Sequence, residues 1–320
     1  MTIDDNNRLS CLCRPLKGVD NRQVIQIACG DHHSMALTND GQVLVWGENS
    51  HGQLGLRKDH PGSPSAQHVQ SLSGIPLAQI SAGGDHSFVL SLSGVVFGWG
   101  KNSAGQLGLG DTTGFLVSSC KSLDNRQVIQ IACGDHHSMA LTNDGQVLVW
   151  GENSHGQLGL RKDHPGSPSA QHVQSLSGIP LAQISAGGDH SFVLSLSGVV
   201  FGWGKNSAGQ LDRHVPTVVN RLNWKKTVSI SCGAEHTATL SKGGTVFTFG
   251  SGGSGQLGHN SFRDEHHPRV VAELWGSEVS QVTCGSLCLS LWICQLVSKS
   301  SFSIRVFCYE YCFTRAVVQN

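Results

Sequence analysis

The sequence carries little charge, and what it carries cancels. Charged residues make up 14% of the 320, with 22 basic side chains against 22 acidic ones. That balance argues against a protein held to nucleic acid or to a membrane surface by bulk charge. Long apolar runs are missing too. The longest, Leu287 to Val297, is broken by Ser290 and Gln295 and is too short to span a bilayer as a helix. Neither a nucleic-acid partner nor membrane insertion is therefore expected. Met1 to Ser10 is polar and has no apolar signal core. The eleven cysteines show no disulfide framework, so reduced thiols in a cytoplasmic setting, with the nucleus as the alternative, are expected. There is no Walker-type phosphate loop, no Gly-x-Ser-x-Gly elbow and no defensible Ser-His-Asp set. The chain is therefore not expected to be an enzyme. It offers no catalytic, cofactor-binding or metal-binding residue, implies no cofactor, and leaves its binding residues unassigned.

What is abundant is glycine, 40 residues, set at fixed places between short apolar runs. One phrase returns along the chain. It reads CGDHHSMALTNDGQVLVWGENSHGQLG at Cys29 to Gly55 and AGGDHSFVLSLSGVVFGWGKNSAGQLG at Ala82 to Gly108. It returns at Cys133 to Gly159, at Ala186 to Leu211, and as CGAEHTATLSKGGTVFTFGSGGSGQLG at Cys232 to Gly258. His33, His86, His137, His190 and His236 lie 53, 51, 53 and 46 residues apart, and the Gly-Gln-Leu triplets repeat the same spacings. A sixth repeat begins at Val279 to Gly285 and then departs.

Each repeat reads as strands and turns. In the first, Val24 to Ala28, Ser34 to Thr38 and Gln42 to Trp46 are apolar-rich runs, and Asn39-Asp40-Gly41 is a hairpin signal. A weaker fourth strand is predicted near Gln67 to Leu72. Four short antiparallel strands every fifty residues describe one propeller blade, and stacking blades bury each other's faces. The fold class is all-β: a β-propeller of four-stranded antiparallel blades with five full repeats and a partial sixth. The predicted divisions are a polar segment 1–13, propeller repeats over 14–285 and an atypical tail 286–320. Within the propeller the repeats are 24–75, 76–127, 128–179, 180–227, 228–278 and a partial 279–285.

The motif residues read as architecture. Cys29 and His33 sit near metal-like spacing, but Ala82 and Ala186 hold the cysteine position elsewhere, as a small buried residue would. The histidines are expected to bond backbone between blades. Trp46, Trp99, Trp150, Trp203 and Phe249 are expected as core aromatics between blades, and Gly-Gln-Leu-Gly as a tight loop anchored by its leucine. Asp31, Asp85, Asp135, Asp189 and Glu235 put one acid near each histidine, a pattern of architecture and not of a single active site. Cys284-x3-Cys288 and Cys308-x3-Cys312 are weak zinc hints with no histidine in the tail. Trp224-Lys225-Lys226 reads as a solvated basic strand end.

On these residues the chain resembles the regulator of chromosome condensation repeat family. The small-residue-Gly-x-x-His turn, the Trp/Phe-Gly pair and the Gly-x-Gly-Gln-Leu-Gly loop carry the resemblance over Val24 to Gly285. It implies a seven-bladed propeller, relative to which this one is incomplete. The wording WGENSHGQLGL, WGKNSAGQLGLGD and HHPRVVAELWGSEVSQVTCG is similar to the propellers of the HERC group of HECT-type ubiquitin ligases. That similarity implies a protein-protein interaction module of the ubiquitin ligase pathway, from a HERC-like ligase. The catalytic cysteine would lie in a HECT domain, which nothing after Gly285 resembles. Expected partners are proteins, a ubiquitination substrate or a small GTPase. The alternative function is a guanine-nucleotide exchange factor or regulator for a small GTPase.

Two departures stand out. Asp20 to Leu107 is identical to Asp124 to Leu211, 88 residues without a change. A copy this faithful marks either a very recent duplication or an error in assembling the sequence. The second copy runs straight from Leu211 to Asp212, six residues short of the first copy's loop. The tail is the other departure. Ser286 to Asn320 holds no glycine, both tyrosines and four cysteines, and has Cys288 where the repeat needs histidine. It reads as a frame or splice change, with improvised strands at Leu287 to Val297 and Ser303 to Phe307 as the alternative. Arg14 to Val19 resembles the outer strand that closes a preceding blade.

Overall fold

Turn chemistry sets the blade. Gly41 sits at φ +80°, and its N–H donates to the Thr38 carbonyl at 2.9 Å, closing a hairpin that only a left-handed residue completes. The Thr38 hydroxyl adds bonds to the Asp40 carboxylate and to the Gln42 carbonyl (3.1 Å).

In this computed structural model, residues 16–19, 22–57, 59–160, 164–206, 214–277 and 279–285 are described in full. Strands at 2–3, 9–10, 289–298 and 301–309 are described in backbone only. Strands β1 (Thr2–Ile3) and β2 (Leu9–Ser10) pair with each other. Five four-stranded antiparallel sheets follow, each a simple meander. Blade 1 is β3 (Val24–Cys29), β4 (His33–Thr38), β5 (Val43–Glu48) and β6 (Gly62–His68). Blade 2 is β7 (Leu77–Ala82), β8 (His86–Ser91), β9 (Val96–Gly100) and β10 (Ser118–Ser119). Blade 3 is β11 (Val128–Cys133), β12 (His137–Thr142), β13 (Val147–Glu152) and β14 (Gly166–His172). Blade 4 is β15 (Leu181–Ala186), β16 (His190–Ser195), β17 (Val200–Gly204) and β18 (Thr217–Val218). Blade 5 is β19 (Thr227–Cys232), β20 (His236–Ser241), β21 (Val246–Gly250) and β22 (Glu265–Val270). A sixth, three-stranded sheet joins β23 (Val279–Cys284), β24 (Leu289–Ser298) and β25 (Ser301–Tyr309).

One expectation is corrected. The fourth strand of blade 1 is Gly62–His68, and Gln70–Leu72 is instead a 3-10 turn whose Leu72 is buried. The strand escapes a propensity reading because it is rich in serine and contains Pro64, which the outer edge of a blade tolerates. In the tail, Leu289–Ser298 pairs with Ser301–Tyr309, overlapping the strands expected at Leu287 to Val297 and Ser303 to Phe307. The shortened loop at 207–213 lies outside the described residues.

The core sits between blades. Met35, Leu37, Val43 and Val45 form the trailing face of blade 1 and pack on Ile80, Val89 and Trp99 of blade 2. Phe88, Leu90 and Val96 of blade 2 pack on Ile131, Ala140, Leu148 and Trp150 of blade 3. Both faces of a middle strand are thus buried, so β8, β12, β16 and β20 are buried at every position.

The duplication supplies an internal control. Ile131, on the leading face of blade 3, is 2% exposed, while Ile27, its twin in blade 1, is 63% exposed. Cys133 is buried and Cys29 exposed. Trp150 is fully buried and Trp46 only partly so. The residues are the same; what differs is the packing against their leading face. On blade 1, among the described residues, Leu16 and Val19 stand at the leading face and pack on the cluster of Ala36, Leu44 and Ala66, as Cys120 and Leu123 do in front of blade 3. Lys17 helps hold that segment, accepting the Ala66 N–H at 3.0 Å.

Candidate interaction surfaces

The repeated residues build the seams between blades. In blade 3, Ser138 pairs across the sheet with Trp150, and His137 with Gly151. Ser138 and Trp150 therefore stand side by side on the leading face, where both reach one acceptor. The Trp150 Nε1–H and the Ser138 hydroxyl each donate to the Gln106 carbonyl at 2.8 Å. The same pair of donors, Trp99 and Ser87, meets the Gln53 carbonyl (2.8 and 2.9 Å), and Trp203 and Ser191 meet that of Gln157 (2.9 and 2.8 Å). A carbonyl has two lone pairs, and here both are used.

The histidines complete the seam from the other side. His33, His86 and His137 contact Ser87, Ser138 and Ser191 of the next blade at 2.8, 3.0 and 2.8 Å through Nε2. The serine proton is committed to the loop carbonyl, so Nε2 carries the imidazole proton and donates. His190 reaches the Thr237 hydroxyl at 3.1 Å. The expected backbone partner is thus corrected to a hydroxyl that relays to backbone. Burial, the dominant influence, holds these imidazoles neutral: His33 is lowered to about 4, and His86, His137 and His190 to about 3. Among the described residues their buried Nδ1 atoms have no hydrogen-bond partner. A Cβ at Gly134 would collide with the His137 ring and the Gly187 carbonyl, so the seam requires that glycine.

A second seam uses glutamine as a substitute strand. The Gln79 amide donates to the Ile131 carbonyl (2.8 Å) and accepts from the Ile131 N–H (3.0 Å). Gln26 does the same to Ile80, Gln130 to Ile184 and Gln183 to Ile230. Sequence reading missed this clamp, although a Gln-Ile pair recurs at this position in blades 1 to 4.

The five acids do not serve the buried histidines as hydrogen-bond partners. Asp85 pairs with Lys101 at 3.2 Å, and Lys205 lies between Asp189 (3.6 Å) and Glu235 (3.2 Å). In blade 3 the residue matching those lysines is Glu152. Burial first, then the Asp31 and Asp189 charges, push the Asp135 carboxyl up to about 6. The buried thiols are likewise held protonated by desolvation, Cys120 at about 11 and Cys133 and Cys232 at about 12. Among the described residues no three His, Cys, Asp or Glu side chains converge as a metal site, and no helix is long and apolar enough to cross a membrane.

A family model described as the RCC1-like domain matches residues 3–295. The chain belongs to the RCC1-like domain family. Among the relatives of this RCC1-like chain is the human probable E3 ubiquitin-protein ligase HERC6, 45% identical over 213 residues, covering 65% of this chain and 21% of HERC6. Human HERC3, another probable E3 ubiquitin-protein ligase, is 48% identical over 202 residues, covering 62% of this chain and 19% of HERC3. The chain thus spans about a fifth of the length of these curated relatives. Among solved structures, human WBSCR16 superposes with a TM-score of 0.74 at 28% identity, covering 85% of this chain and 72% of that one. Prp20p from Saccharomyces cerevisiae, described with its binding to Gsp1p and histones, gives 0.72 at 25% identity, covering 82% and 66%. The all-β propeller, the repeat family and the homology to HERC propellers stand on these likenesses together with the sheets described above.

Proposed function

We propose that this chain is a protein-protein interaction module, the propeller part of a HERC-like E3 ubiquitin ligase, which engages a ubiquitination substrate and leaves catalysis to a HECT domain not contained in residues 1–320. The observation that carries this reading is the identity of 45–48% to HERC6 and HERC3 over 202–213 residues. The seams support it: the repeated His, Trp, Ser and Gln residues are consumed in holding blades together, so the variable turns at the ends of the sheets are what a partner meets. The functional unit is proposed as 14–285, with 286–320 an extension, and the setting as cytoplasmic, with the nucleus as alternative.

The test is competition. Purified chain is titrated into a ubiquitination reaction run by full-length HERC6 on its substrates. A substrate-engaging propeller without a catalytic domain lowers substrate ubiquitination as its concentration rises. Unchanged ubiquitination at a hundredfold excess overturns the reading. A second reading, action on a small GTPase, is favoured by the likeness to Prp20p. It requires accelerated release of labelled nucleotide from a GTPase panel.

A further inference from the structure

The residue after the blade-closing 3-10 turn and its next neighbour has a left-handed backbone in every blade. Gly74, Asn125, Gly178 and Gly276 hold that position in blades 1, 2, 3 and 5, with φ of +81°, +65°, +79° and +80°. Blade 4 puts Trp224 there, at φ +68°. A bulky side chain in this region is strained, and the indole gains nothing back from the fold, since Trp224 is 96% exposed. Lys226, two residues on, is also left-handed at φ +51°. One turn therefore combines strain with a fully solvated tryptophan.

The surroundings extend the feature into a strip. On one side of the turn is the blade 4 hairpin. Its Leu196, 72% exposed, donates its N–H to the Pro180 carbonyl (2.9 Å), and Ile179, Pro180, Leu196, Val199 and Phe201 line an open depression of about 500 Å³. Gly198 of that hairpin lies against Lys226, whose Cα would be 3.5 Å from a Cβ there. On the other side is the blade 5 hairpin, where the Lys242 N–H donates to the Lys226 carbonyl (2.9 Å). Arg221, Lys225, Lys226 and Lys242 are all exposed, and among the described residues none is in an ion pair. The corresponding hairpins of blades 1 and 3 present Asp40 and Asp144 instead. The positive charge is local to a chain whose net charge is zero.

We propose that the turn at Trp224, with the Leu196 depression and the Arg221, Lys225, Lys226 and Lys242 cations, is a docking strip for an acidic peptide segment that carries a large apolar anchor. The cations select for carboxylates, and the depression and the indole supply apolar contact. This deepens the interaction-module reading and rests on it by naming the surface and the chemistry of the partner.

The experiment uses the full chain and fluorescein-labelled twelve-residue peptides alternating Glu with Leu or Phe, read by anisotropy. Matched peptides with Gln for Glu, phosphatidylserine vesicles and a single-stranded oligonucleotide are run beside them. The acidic peptides bind, the Gln peptides bind at least about tenfold more weakly, and added salt weakens the former. Trp224→Gly loses at least about tenfold in affinity while the melting temperature holds or rises, because glycine is native to this turn in blades 1, 3 and 5. Lys225→Glu with Lys226→Glu gives a similar loss. Undiminished binding by Trp224→Gly, or a melting temperature lowered by it, overturns the proposal. So does failure of the acidic peptides to bind, or preferential binding of vesicles or oligonucleotide through the same residues. The competition assay with HERC6 is read separately: inhibition that survives Trp224→Gly keeps the module and removes only this strip.

Discussion

Ile27 and Ile131 make a matched pair for a stability experiment. Each sits within the same 88-residue sequence, in the same strand, before the same hairpin. Ile→Ala at either site changes local β-propensity and denatured-chain entropy equally, so those contributions cancel in the comparison. Burial does not cancel. Ile131 is 2% exposed and packs on Phe88, Leu90 and Leu107 of the preceding blade. Removing its three outer carbons forfeits about 2.4 kcal/mol of transfer free energy at about 0.8 kcal/mol per group, and the cavity left behind raises the cost to about 3–4 kcal/mol. Ile27 keeps only about a third of its surface buried, so the same substitution costs about 1 kcal/mol or less, with water filling the space. Urea unfolding followed by tryptophan fluorescence measures both variants. A gap of about 2–3 kcal/mol is expected, and the double variant is additive because the sites share no partner. Equal losses at the two positions refute the reasoning, since they mean that the leading face of blade 1 is covered in solution.

Other consequences of the seams are equally measurable. Stability falls as pH drops below about 6.5, because the unfolded chain takes up protons that His33, His86, His137 and His190, lowered to about 3–4, refuse in the fold. At pH 5 each histidine costs about 2 kcal/mol, about 8 in all, and the raised Asp135 returns only about 1. Urea midpoints at pH 7, 6 and 5 should therefore fall steeply, and level midpoints would contradict the buried neutral imidazoles. Trp150→Phe removes one donor from the Gln106 carbonyl and is expected to cost about 1–2 kcal/mol. Trp46→Phe, on the uncovered face, is expected to cost less, as read by the same unfolding midpoints. Native alkylation followed by peptide mass mapping should modify Cys29 quickly and leave Cys120, Cys133 and Cys232 unmodified until the chain unfolds.

The blade was legible because its signals are local. The Asp-Gly turn, the alternating apolar runs and the recurring Trp-Gly pair lie within fifty residues and act within one sheet. The seams were not legible as hydrogen bonds because their partners stand 32 to 54 residues apart and meet only when two blades stack. The histidine position was visible, but its hydroxyl partner and the carbonyl relay were not. The fate of Ile27 could not be read at all: its sequence neighbourhood is identical to that of Ile131, and only what packs in front of each strand separates them. Trp224 was read as a solvated strand end, correctly as to solvent. Its left-handed backbone shows only when blade 4 is aligned with the glycines of its neighbours.

The duplicated segments have a consequence for the order in which the chain assembles. During synthesis the leading face of blade 1, with Ile27 and Trp46, emerges before that of blade 3, with Ile131 and Trp150. The trailing face of blade 2 is shaped to receive the second set and meets chemically identical groups in the first, whether from its own chain or from a neighbouring one. Local chemistry assigns the two encounters the same energy, which is the condition for a kinetic trap. The tether decides between them, because blade 1 runs directly into blade 2 and is held against its opposite side. Refolding from denaturant is thus a race between equal segments, with connectivity as the referee and slow, concentration-dependent phases as its trace.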